Sequence, residues 1–268
     1  MKFDFVSGSL LAGVVGVCLA AFVPAAASAH DFFILPTSFV TARGDPLMVD
    51  VTIASEFPEL ELVVAADRIA ELRVVGDPQA MFEAVGPGPQ SMRTRFRATE
   101  PGLAILSARA VPRDVEYPED RIGGIMQEYQ VSPEAVRSVD RLPRPRVLKA
   151  ISSRFAKSFV CVERCDGGSD PTRPLGHSLE FVATSGSATS YTLLAKGAPL
   201  ADYPVVIASA DGTRTRTRSS AEGWVEVPAG LTGAVMLFAA VMTPPADGGD
   251  RFVLDLASLT LDVAGHSH

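Results

Sequence analysis

The hexapeptide MRTRFR, Met92 to Arg97, alternates without a break. Arg93, Arg95 and Arg97 fall on one side, and Met92, Thr94 and Phe96 fall on the other. A period of two belongs to a β-strand with one wet face and one buried face. Comparable runs precede and follow it: LMVDVTI (Leu47 to Ile53), IAELRVV (Ile69 to Val75) and LAILSARAV (Leu103 to Val111), separated by Gly, Pro and Asp turns. SRFAKSFVCVE (Ser153 to Glu163) and HSLEFVA (His177 to Ala183) continue the pattern, and SYTLLAK, YPVVIAS and RFVLDLASLTLDV extend it toward the C-terminus. The apolar run Ala234 to Met242, bounded by Gly233 and Pro244, reads as a strand buried on both faces. These short strands predict a mainly β chain built as two consecutive Ig-like or transthyretin-like β-sandwich domains. The first is expected over residues 30–177 and the second over 178–263, with a His-bearing tail at 264–268.

One segment breaks the pattern. Residues 117–146 are charged and Pro-bearing, and they predict a short helical insertion in the first sandwich. In SPEAVRSVDRL, Ser132 is placed as N-cap, Pro133 at the first helical position and Glu134 in the first turn. RLPRPR (Arg141 to Arg146) should stop that helix. Farther on, TRTRTR sets Arg214, Arg216 and Arg218 on one strand face, which reads as a solvated edge. Asp211-Gly212 and Glu222-Gly223 predict a hairpin around it, with Trp224 as a core or edge anchor.

The N-terminus constrains the compartment. Residues 5–23 carry no charge, Pro24 breaks the run, and Ala27-Ser28-Ala29 fits the small-x-small cleavage rule. Residues 1–29 are therefore expected to be a secretory signal peptide, and the product periplasmic. No later stretch is long enough to span a membrane, so no span is expected in the mature chain. Its roughly 239 residues suffice for one large or two small domains. With 24 Lys and Arg against 31 Asp and Glu, the chain carries a net charge of −7, which argues against nucleic-acid binding. Cys161 and Cys165 remain as an even pair in an oxidising compartment, where a disulfide is the default and a soft-metal site the alternative.

The sequence has no nucleophile elbow, zincin helix, phosphate loop or dinucleotide fingerprint, so no enzyme is expected. Metal binding is the sharper possibility. Cleavage after Ala29 would give His30 a free α-amino group, and that amine with the imidazole Nδ1 can chelate one ion. Nitrogen-rich sites of this kind suit Cu(II) and Ni(II). A second imidazole would come from His177, an oxygen from Asp31, and weaker recruitment from His266 and His268 in the tail. The competing expectation is a metal-free Ig-like interaction or carbohydrate-binding module, which would display Tyr191, Tyr203 and Trp224 as an aromatic patch.

Several stretches together resemble the NikM-like periplasmic family. AHDFFILPTSF resembles the opening of these proteins after the signal. SRFAKSFVCV is similar to their mid-chain strand, and RPLGHSLEFV to their Pro-Leu-Gly-x-x-Leu-Glu junction. KGAPLADYPVVI followed by SSAEGWVEVP is similar to their C-terminal sandwich. The resemblance implies an exported two-sandwich protein that binds or delivers a transition metal (nickel or cobalt), with a metal-uptake membrane transporter as partner.

Overall fold

The computed structural model describes residues 30–187, 189–246 and 249–263. The expected signal segment 1–29 and the tail from residue 264, with His266 and His268, lie outside the described residues. The chain opens with β1 (Asp31–Pro36), β2 (Val40–Thr41), β3 (Pro46–Ala54) and β4 (Leu62–Val63), followed by a 3-10 turn (Ala66–Arg68). Then come β5 (Ile69–Val75), β6 (Met81–Pro87), β7 (Met92–Arg97), β8 (Gly102–Ala110) and β9 (Arg113–Pro118). Helices α1 (Glu119–Glu128) and α2 (Pro133–Asp140) lead to the long strand β10 (Val147–Val162). The remainder is β11 (Leu179–Ala183), β12 (Ser190–Ala195), β13 (Ala198–Pro199), β14 (Pro204–Ser209), β15 (Arg214–Arg218), β16 (Trp224–Glu226), β17 (Ala234–Thr243) and β18 (Phe252–Asp262).

The molecule is mainly β and is built as a sandwich around one central sheet. That nine-stranded sheet runs β15-β14-β17-β18-β10-β8-β5, with β2 and β9 also pairing with β10. Strands from both sides of residue 178 contribute to it. β10 pairs in parallel with β18 from Ala150 to Ser158. Its other edge pairs antiparallel with β9 from Val147 to Ser152 and with β8 from Phe159 to Cys161.

Successive residues of a strand point to opposite faces, and the central sheet uses both. On one face Phe155, Phe159, Ile207 and Leu237 pack on Leu179, Phe181, Tyr191 and Leu193 of the sheet formed by β11, β12, β13 and β16. On the other face Leu106, Ala156 and Val160 meet Phe32, Ile34, Val49 and Phe96 of the sheet β1-β3-β7-β6. Farther along that same face, Ala150, Met236, Phe238 and Leu254 are covered by Ile122, Ile125, Ala135 and Val139 of the two helices.

Local signals explain many of these elements. In β7 the arginines are exposed or half-buried while Thr94 and Phe96 are buried. Ser132 caps α2 by accepting the Ala135 amide at 3.3 Å, with Pro133 next in line. β17 is buried along most of its length on both faces. Three details differ from expectation. The segment from Arg113 to Pro118 is a strand, because the start of β10 offers it a ladder. β10 itself begins at Val147, six residues before the expected start. The hairpin expected around TRTRTR does not close on itself: β15 pairs with β14, whereas β16 crosses to β12. The residues supply the reason. Val225 and Val227 alternate with polar neighbours and bury in the core against Leu193, while β15 has little apolar surface to offer a partner.

Candidate functional site

β1 places the two residues singled out at the N-terminus. Asp31 starts the strand opposite Ala54, with its side chain 3 % exposed. Burial pushes its carboxyl up to about 6, against the pull of Arg214, whose Nη1 donates to Oδ2 at 2.8 Å. Arg214 reaches it from the edge strand that reads in sequence as merely solvated. His30 lies just before β1, one third exposed, with Nε2 at 3.2 Å from Glu61 Oε1. Glu61 is itself fixed, since its Oε2 accepts the Ser55 amide at 2.7 Å. That hydrogen bond, ahead of the His30 contact, holds the Glu61 carboxyl below its usual range. The carbonyl of His30 accepts from Arg154 Nη1 at 2.6 Å.

His177 belongs to a different environment. Its ring stacks on Phe155 with centroids 4.9 Å apart and planes 23° apart. Ser107 Oγ lies 3.5 Å from Nε2, and Nδ1 is buried without a hydrogen-bond partner. Burial is the main cause that drives its pKa down to about 4, so the imidazole is neutral at pH 7.

Arg154 and Phe155 are neighbours on β10, so their side chains leave opposite faces of the central sheet. His30 is tied to the first and His177 to the second. The sheet separates them, and the second imidazole expected from His177 does not reach His30. Asp31 spends its carboxylate on Arg214. Cys161 and Cys165 form a disulfide, which removes both thiolates from the soft-metal alternative. Among the described residues there is no group of three or more His, Cys, Asp and Glu side chains placed to hold one ion. Nor do the aromatics form a patch: Tyr191 and Tyr203 are buried, and Trp224 alone is exposed.

The stretches that looked distinctive in sequence do meet in space, with β10 as their junction. Arg154 of SRFAKSF holds the AHDFF segment by the His30 carbonyl. Lys157, on the face of Phe155, donates through Nζ to Glu180 Oε2 of PLGHSLE and to the Phe181 carbonyl at 2.9 Å. Glu180 also accepts the amides of Leu175, Gly176 and His177 at 3.0, 2.9 and 3.2 Å. Both side chains are almost fully buried. Burial pulls the Lys157 ammonium below its usual pKa, with Glu180 resisting. Burial works against the ionised Glu180 as well, but the Lys157 charge and these hydrogen bonds outweigh it and keep its pKa low.

Sequence reading missed a cleft of about 280 Å³ beside Arg154, between β4, the 3-10 turn and the β8–β9 connection. Its arginines, Arg68, Arg113 and Arg154, are too far apart in the chain to form a motif. The only available signal is Arg154 itself, which with Lys157 puts charge into a stretch otherwise destined for the core.

Among the described residues no helix is long and apolar enough to cross a membrane. No curated protein matches the chain. A solved structure titled D0-D1 domain of Intimin aligns over 85 % of this chain and 97 % of that chain, with 14 % identity and a TM-score of 0.24. At that score the likeness carries no information about function. The family model described as Domain of unknown function (DUF4198) matches residues 27–243, and the chain belongs to that family.

Proposed function

We propose that this is an exported, non-enzymatic binding protein of the NikM-like kind, in which cleavage after Ala29 makes His30 a chelating N-terminus for nickel, cobalt or copper. One observation carries the reading. Glu61 engages His30 through Nε2, and among the described residues Nδ1 has no hydrogen-bond partner. Nδ1 is the atom that closes a chelate ring with the α-amino group of the same residue. A carboxylate on the far ring nitrogen fixes the tautomer and raises ligand basicity, as it does for histidines that bind metals. Arg154 restrains the residue from the carbonyl side. Both nitrogens ligate only in their unprotonated form, so metal binding there releases protons. The proposed ligand set is thus narrower than the sequence implied: His30 supplies two nitrogens, and His266 or His268 is the remaining source of an imidazole. A metal-uptake membrane transporter is the partner this role calls for.

The test has two arms. Sequencing the exported protein should return His30 first. Cu(II) and Ni(II) titration should then lose at least about tenfold in affinity when the α-amine is acetylated near neutral pH, where it reacts ahead of lysines. Unchanged affinity after that block, or a first residue other than His30, overturns the proposal.

A further inference from the structure

The cleft beside Arg154 sits where β10 changes partner. Its ladder with β9 ends at the Ser152–Arg113 pair, and the ladder with β8 starts only at Phe159–Ile105. Ser152, Arg154 and Arg113 open into the gap, and Arg68 enters from the 3-10 turn. Among the described residues no carboxylate lines it.

Three features make it a built site. First, the guanidinium groups crowd one another. Partial desolvation of the largely exposed Arg113, and then the nearby Arg154 charge, lower its pKa, with Arg68 adding to the effect. Second, they keep donors in hand. Arg154 spends one on the His30 carbonyl and Arg68 one on the Val111 carbonyl at 3.4 Å, while the Arg113 guanidinium makes no hydrogen bond or ion pair among the described residues. A guanidinium offers five N–H donors in a fork that matches a carboxylate. Third, Ser152 is 3 % exposed and its Oγ has no partner. A buried hydroxyl without a partner is costly unless something else completes its bonding. The opposite wall is apolar: Ile53, Leu62, Val63, Ala110 and Val111 line it, and Leu62 and Val63 stand exposed at its rim.

We propose that this cleft binds a small aliphatic carboxylate, its head on Arg113, Arg154 and Ser152 and its tail along Ile53, Leu62 and Val63. The volume equals roughly nine waters at ~30 Å³ each, which suits a short-chain acid. The apolar wall favours such an acid over inorganic phosphate, which has no tail to bury. The proposal is independent of any metal at His30.

The experiment is calorimetric titration of the full exported protein, with a chelator present to remove metals. The probes are hexanoate, hexanamide and inorganic phosphate. Hexanoate should bind, hexanamide should bind at least about tenfold more weakly because it cannot accept from the guanidinium forks as an anion, and phosphate should also be weaker. Arg113→Gln changes an exposed side chain, so it should fold normally, and it should weaken hexanoate about tenfold or more. Ser152→Ala should weaken it severalfold while raising the melting temperature of the free protein, because it deletes an unpartnered hydroxyl. No hexanoate binding at 10 mM, equal binding by Arg113→Gln, or phosphate binding as tight as hexanoate would overturn the proposal.

Discussion

Replacing Glu180 with Gln tests how the junction on β10 is held. The carboxylate receives the Lys157 ammonium and three backbone amides, and its side chain is 1 % exposed. An amide has one acceptor oxygen, and its NH2 would confront an amide donor at the other position. The variant therefore strands at least one buried N–H and leaves the Lys157 charge, 4 % exposed, without its counter-ion. Removing one partner of a buried pair costs about 3–5 kcal/mol. Lys157 can relieve part of this by losing its proton, since burial already lowers its pKa, so the lower half of the range is expected. With a urea m-value of about 2–3 kcal/mol/M, the midpoint should fall by roughly 1–2 M. Lys157→Met should cost a similar amount, because it strands the carboxylate. The double variant should cost at least ~1.5 kcal/mol less than the sum of the two, since each single change already breaks the pair. Urea melts of the four proteins with a constant m decide it. A Glu180→Gln cost below ~1 kcal/mol, or strict additivity in the cycle, refutes the reasoning.

Two buried groups set opposing pH dependences. His177, lowered from 6.5 to about 4, contributes stability that is lost as pH falls from about 6.5 toward 4, while Asp31, raised from 3.8 to about 6, contributes stability that is lost as pH rises across nearly the same window. Each amounts to about 3 kcal/mol, so Asp31→Asn should steepen the acid loss and His177→Gln should reverse its sign, as read from urea midpoints between pH 4 and 7. Parallel profiles in all three proteins would refute this. Gly102→Ala should cost more than about 2 kcal/mol, since its φ is +117° and a Cβ there would lie 2.6 Å from the Gly168 amide nitrogen. A thermal melt within a degree of wild type would show that the two backbones separate easily. Converting Cys161 and Cys165 to alanine releases a small ring and should cost about 2 kcal/mol, checked by urea melts against the oxidised and reduced wild type.

The fold was legible wherever neighbours in sequence are also neighbours in space. β7, α2 and β17 follow from alternation, a cap and a bounded apolar run, all local signals. The parallel pairing of β10 with β18 joins segments about a hundred residues apart, and no local pattern specifies it. The site was legible in part. The motifs around His30, Lys157 and Glu180 stood out as strings, but their meeting place depends on which face each β10 residue takes. The expectation that His177 would join His30 failed on that point, since Arg154 and Phe155 are adjacent and so face opposite ways. Asp31 looked like an oxygen ligand because its partner, Arg214, lies 183 positions away. The arginine cleft left no string at all.

The position of β18 bears on how the protein is made. It lies between β17 and β10 in the central sheet, yet it comes after every other strand in the sequence. A chain emerging from a ribosome has all the flanking strands before it has the one that joins them. Until Phe252–Asp262 arrives, the stretch of β10 from Ala150 to Ser158 lacks its parallel partner and the sheet is in two parts. The delay suits a protein proposed to cross a membrane unfolded: completion of the central sheet waits for Phe252–Asp262. It also means that a nonsense codon between β17 and β18 would leave two exposed sheet edges, on β17 and on β10, and such products should aggregate or be degraded.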